Sequence, residues 1–244
     1  MIPSLARPFA LVAALLATST AAFAHGAWIA ERWGDLAVIY GHGAGDDPYD
    51  PAKVTEVVAL GQDGKPVAVE IKPMGNHAIL SAASEPAVIG LVFDNGFWSQ
   101  GADGKWVNRP RHEVPGAKSS GHYIKNNISL IHAEGPLPVL PKQTLQIVPL
   151  SNPKELKAGD TFKVKVLFEG APLPDVEVMI DYVNAPSLKS VKTDAHGEVE
   201  IELRNDGLNV LAVDRSVVLG DDPAADEIGY TATLSFVAAD HVDE

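Results

Sequence analysis

The sequence predicts an all-β fold made of two β-sandwich-like domains, the C-terminal one immunoglobulin-like or transthyretin-like. Three observations predict it. Apolar residues fall in short runs, several alternating with period two, as half-buried strands require. Turn residues separate those runs at short, regular intervals. Gly contributes 21 residues and Pro 18 of 244, which suits a loop-rich β protein better than a helical bundle.

The elements follow in order. Residues 36–40 are a short apolar run. Residues 54–60 and 67–71 flank Gly61-Gln62-Asp63-Gly64-Lys65-Pro66, so they read as a hairpin around an Asp-Gly turn. Residues 77–82 and 87–93 are two further strands, and Asp94-Asn95-Gly96 marks a turn after them. The polar stretch 99–121 reads as a long surface loop. Residues 122–131 form a last strand of this half, or a short helix.

Gly135-Pro136-Leu137-Pro138 and Pro141 read as a linker, which divides the chain into 25–140 and 141–244. Beyond it Phe162, Val164, Val166 and Phe168 alternate along a half-buried strand. Residues 176–182 follow the turn at Gly170-Ala171-Pro172. Val191 and residues 199–203 flank Thr193-Asp194-Ala195-His196-Gly197 as another hairpin, and 208–213 and 230–237 complete the set.

Residues 1–24 read as an address. Arg7 is the positive region, 9–17 the apolar run, and Ala22-Phe23-Ala24 a small-residue cleavage site, so a secretory signal peptide is expected. The run is short for a bilayer span, and no other run approaches the length one needs. A cleaved, periplasmic protein with no membrane insertion is expected.

A formal net charge of −13 disfavours nucleic acid, whose phosphates would be repelled. With no Cys, disulfide frameworks, thiolate metal sites and a Cys nucleophile are excluded. No G-x-S-x-G, H-E-x-x-H, Walker A or strand-borne G-x-G-x-x-G occurs, so the expectation is a protein that is not an enzyme.

Histidine carries the remaining chemistry. Cleavage after Ala24 makes His25 the N-terminus, whose amine (pKa near 8) and ring nitrogen chelate one ion. Cleavage after Ala22 would place His25 third, where backbone nitrogens complete a square plane for Ni(II) or Cu(II). His42 closes the 36–40 strand between two glycines and shares a face with Val38 and Tyr40. His112 and His122 bracket the end of the long loop. His132 lies roughly 33 Å from His122 along one strand, too far to share an ion. His77 and His196 fall in turn-like contexts, and His241 in a tail. Asp46, Asp47 and Asp50 add a negative field near His42, whereas Asp221, Asp222, Asp226 and Glu227 read as solvated surface. The four Trp, with Phe93, Phe97 and Tyr123, read as core.

His25-Gly26-Ala27-Trp28-Ile29, Tyr49-Asp50-Pro51-Ala52-Lys53-Val54, Ile147-Val148-Pro149-Leu150 with Asn152-Pro153, Leu167-Phe168 with Gly170, and Thr193-Asp194 with Gly197 occur together. So does a tail segment with Asp222-Pro223, Ala225-Asp226-Glu227 and Tyr230-Thr231-Ala232-Thr233-Leu234. In combination these resemble a periplasmic nickel-uptake-associated family, domain-of-unknown-function proteins found beside energy-coupling-factor nickel or cobalt transporters. The resemblance spans nearly the whole chain after residue 24. It implies a periplasmic protein that binds a divalent metal or hands it to a membrane transporter, with His25 as a ligand.

The expected site is therefore His25, His42, His122 and His112 around Ni(II), with Cu(II) as the alternative because nitrogen sites hold copper more tightly. Two other classes stay open: a metal-free adhesion or chaperone module, and a redox enzyme holding copper by an N-terminal His plus a second His, as lytic polysaccharide monooxygenases do.

Overall fold

The computed structural model describes residues 25–238; the expected signal peptide at 1–24 and His241 lie outside the described residues. Strand β1 (Gly26–Arg32) returns through Trp33-Gly34 into β2 (Asp35–Gly41). Both turn residues have positive φ, 57° and 87°, as a tight turn matched to strand twist requires. β1 was not legible as a strand, because five buried positions in succession show no alternation.

Asp50 caps a 3-10 turn at Pro51–Lys53 by accepting from the Ala52 N–H, and β3 (Val54–Leu60) leaves it. β4 (Pro66–Val67) returns beside β3, but the expected hairpin is only two residues deep. The chain then crosses to another sheet as β5 (Val69–Pro73), which pairs with β6 (Ala78–Ala82). β7 (Val88–Gln100) runs straight through Asp94-Asn95-Gly96. The expected turn there is a bulge, with Gly96 at φ 78° and the pairing register slipping between Asp94 and Phe97. The long loop shortens to 101–118, holding β8 (Trp106–Val107) and a 3-10 turn at Arg111–Glu113. β9 (Ser119–Leu130) is a strand, which resolves the strand-or-helix alternative.

β10 (Leu145–Pro149), β11 (Thr161–Phe168), β12 (Ala171–Pro172), β13 (Glu177–Met179), β14 (Val191–Lys192), β15 (Glu198–Glu202), β16 (Leu208–Val218) and β17 (Glu227–Val237) complete the chain. The expected hairpin around Thr193–Gly197 divides between sheets: β14 pairs with β13, whereas β15 pairs with β11. The turn itself forms as expected, with Asp194 accepting from the N–H groups of His196 and Glu198.

The fold is all-β in three layers. The central sheet has the order β14-β13-β16-β17-β9-β7-β3-β4, with β8 beside β7. One face is covered by the sheet β1-β2-β6-β5, the other by β10, β11, β12 and β15. Alternation along the central strands explains why both faces are apolar. Ile128, Leu130, Leu234 and Phe236 pack under β10 and β11. Ile89, Leu91 and Phe93 pack under β1 and β2, and Val210 and Ala212 meet Trp28 and Tyr182. Burying a side chain such as Phe93 contributes about 2–3 kcal/mol. The two sandwiches share the central sheet, so the linker after β9 interrupts the chain but not the sheet. β9 and β17 lie parallel, from Gly121↔Glu227 to Leu130↔Phe236, and join the two halves.

One stripe under β1 is polar. Asn127, Ser129, Thr233 and Ser235 are buried and bonded to one another. The Thr233 hydroxyl donates to the Ala27 carbonyl and the Ser235 hydroxyl to the Ile29 carbonyl. Those carbonyls point away from β2 by strand alternation, and a buried carbonyl needs a donor. The stripe therefore fixes where β1 lies on the central sheet.

Candidate functional site

Gly26 pairs with Gly41, so residues 25 and 42 flank the open end of the β1–β2 hairpin, one residue beyond the last pair. At the last rung a side chain is inserted: the Gly26 N–H donates to the Tyr182 hydroxyl at 2.7 Å, and that hydroxyl donates to the Gly41 carbonyl at 2.9 Å. A Cβ on Gly26 would stand 3.1 Å from the Tyr182 ring and 3.3 Å from Thr233, so a glycine lets this clamp close.

His25 Nε2 lies 2.9 Å from Asp47 Oδ2. Its ring stacks on Tyr40 with centroids 5.1 Å apart, and Tyr40 stacks on Phe93 at 4.8 Å. Asp47 is held in place by its own N–H, which donates to the Tyr40 carbonyl at 2.7 Å. The His42 ring meets Tyr182 edge-on at 5.4 Å. Burial, then the neighbouring charge of His25, pushes the His42 pKa below its ordinary value, while Asp214 pulls it back. At neutral pH this imidazole is therefore uncharged. Burial, with the nearby Asp47 charge, raises the Tyr40 pKa to about 12, so it stays a neutral phenol.

Beneath the two histidines lies a charged row that no local motif announced. Lys125 Nζ donates to Thr231 Oγ1 at 3.2 Å, and Thr231 Oγ1 donates to Asp214 Oδ1 at 2.6 Å. Lys125 is only 2% exposed, and burial lowers its pKa to about 8, against the pull of Asp214. Asp214 reaches solvent, yet surrounding protein desolvates it and raises its pKa, against the Thr231 hydrogen bond and the Lys125 charge. Only strand register across β16, β17 and β9 brings these three residues together.

The four expected ligands divide. His25 and His42 flank the same end of the β1–β2 hairpin, and Asp47 lies against His25. His122 does not join them. Tyr123, Lys125 and Asn127 face β1, so His122 faces the other side of the central sheet. There its Nε2 lies 2.7 Å from Asp94 Oδ1 and its ring stacks on Phe97 at 4.3 Å. His112 sits in the 3-10 turn at Arg111–Glu113, its Nδ1 3.3 Å from the Pro223 carbonyl. Among the described residues no group of three or more His, Asp or Glu converges as a metal centre. A pair of imidazoles suits a transition-metal ion by donor type, and the third donor has to come from elsewhere. Among the described residues no helix is long and apolar enough to cross a membrane.

Residues 22–216 match a family described as a domain of unknown function (DUF4198). A protein of Haemophilus influenzae described as uncharacterized is 27% identical over 167 residues, covering 68% of this chain and 70% of its own length. Among solved structures, the D0-D1 domain of Intimin is similar at 12% identity and a TM-score of 0.23, covering 88% of this chain and 98% of its own. The Clostridium thermocellum CbhA fibronectin(III)-like modules are similar at 10% identity and a TM-score of 0.21, covering 92% and 95%.

Proposed function

The chain belongs to the family described as a domain of unknown function (DUF4198), and within it we propose a periplasmic, non-enzymatic carrier that captures one divalent transition-metal ion and passes it to a membrane transporter. Nickel is the proposed cargo and copper the alternative. One observation carries the reading: His25 and His42 flank the clamped end of the β1–β2 hairpin within electrostatic reach of each other, with Asp47 2.9 Å from the first ring. Cleavage of the expected signal peptide after Ala24 would add the α-amine of His25 as a third donor. That donor deprotonates readily on metal binding. The exposed His25 edge leaves the ion a way out to an acceptor.

The test is metal titration of protein beginning at His25, beside protein carrying one extra N-terminal residue. The carrier reading expects one tightly bound Ni(II) or Cu(II), lost in the extended protein and in His42→Ala. Absence of binding in every form overturns it. The lack of a three-donor group among the described residues favours a second reading, a metal-free sandwich module, and that result would leave it standing.

A further inference from the structure

We infer that Asp214 is the anion of the His25–His42 centre, a positioning residue that offsets the Lys125 ammonium and balances the charge of the bound cation. This inference rests on the metal reading of the two histidines.

The placement follows from the polar stripe under β1. Thr233 bonds the Ala27 carbonyl and Ser235 the Ile29 carbonyl, so β17 and β1 advance together, two residues per step. One step back, Thr231 underlies residue 25. The row through Thr231 runs Phe93, Lys125, Thr231, Asp214 across four strands. Both ends of that row reach the site. Phe93 carries Tyr40, on which His25 stacks. Asp214 lies within electrostatic reach of both His42 and Tyr182, whose rings meet edge-on.

Charge favours a carboxylate beside the site. Two neutral imidazoles and an amine bring no negative charge to a divalent ion. Asp47 is half exposed and Asp214 also reaches solvent, so water screens both in part, whereas Lys125 is shut away from it. The buried charge beneath the site is the Lys125 ammonium, which repels a cation and is barely screened. Asp214 offsets it, coupled through the Thr231 hydroxyl. The groups facing Asp214 are His42 after β2, Thr231 on β17, Lys125 on β9 and Tyr182 after β13. Groups outside the ligand shell of a metal site typically change affinity 10–100-fold.

The experiment titrates protein beginning at His25 with Cu(II) and with Ni(II), reading affinity, stoichiometry and the Cu(II) electron paramagnetic resonance spectrum. Asp214→Asn is expected to keep one site, lose about 10–100-fold in affinity and change the Cu(II) spectrum, and Asp214→Glu to recover most of the loss. Thr231→Val, which keeps the carboxylate but frees it, is expected to lose less, and it carries the test if Asp214→Asn does not fold. Wild-type affinity and spectrum in Asp214→Asn, or in Thr231→Val where that variant carries the test, overturn the inference. If His25→Ala and His42→Ala bind normally as well, the metal reading fails too; if those two lose the ion, only the role of Asp214 fails.

Discussion

His25 Nε2 lies 2.9 Å from Asp47 Oδ2, across 22 residues of chain and at the surface. Both side chains are about half exposed, 44% and 50%. Solvent screening therefore leaves the pair little weight in folding, at most about 1 kcal/mol. Asp47→Ala is expected to leave the urea midpoint almost unchanged. If the site binds a cation, the same substitution weakens that binding, because the field at His25 is lost. A large drop in stability with unaltered metal binding would contradict this assignment.

Tyr182 is the clamp on which the geometry depends. Its hydroxyl is buried and bonded on both sides, to the Gly26 N–H and the Gly41 carbonyl. Tyr182→Phe leaves those two backbone groups without that partner, at a cost of about 1–3 kcal/mol. Gly26→Ala should cost a similar amount, since its Cβ would press at 3.1 Å on the same ring. Denaturant unfolding measures both. Metal affinity should fall in both variants as well, because the clamp sets where His25 and His42 lie, one residue away.

Lys125 makes a prediction about pH. Its folded pKa is lowered by burial to about 8 from 10.5. Between those values the unfolded chain binds more protons, so this group's contribution makes stability rise with pH from about 8 toward 10.5. The full window is worth roughly 3 kcal/mol. Tyr40 and Tyr49, whose burial raises their pKa to about 12, act in the opposite sense above pH 10. The slope to measure is therefore between pH 8 and 9.5, by urea unfolding. It should flatten in Lys125→Met, and a wild-type slope in that variant would refute the assignment.

The all-β class was legible because alternation and turn residues are local signals, as at Phe162, Val164 and Val166. Pairing was less legible. The Gly61–Lys65 and Thr193–Gly197 turns were readable, yet the strands after them join sheets that no local pattern names. His25 was found because its position in the chain is itself chemical information. His42 followed from its place at a strand end. The Lys125–Thr231–Asp214 row could not be found, since its members sit 106 and 17 residues apart and meet only through register. His122 was misplaced for a related reason: its strand was expected, but which face it presents to β1 depends on the parity of β9.

That parity yields a control. His122 pairs with Asp94 and stacks on Phe97 on the far side of the sheet from His25. His112 contacts the Pro223 carbonyl. His122→Ala and His112→Ala should bind metal within about twofold of wild type. His122→Ala should cost about 1 kcal/mol through the lost ring stacking. Strong loss of metal in His122→Ala would place the site on the opposite face.

Trp33 predicts a gain. It occupies the first position of the β1–β2 turn at φ 57°, followed by Gly34 at 87°, and is 96% exposed. A two-residue turn with both φ positive favours Asn-Gly, and a bulky residue in the left-handed region costs about 1–2 kcal/mol. Almost no burial compensates this tryptophan. Trp33→Asn is therefore expected to stabilise the protein by roughly 0.5–1 kcal/mol, which denaturant unfolding resolves. The hairpin ends at opposite poles, so metal affinity at His25 and His42 should stay unchanged. A loss of stability in Trp33→Asn would mean that the indole makes a favourable contact in solution, and would turn attention to this tip as a binding surface.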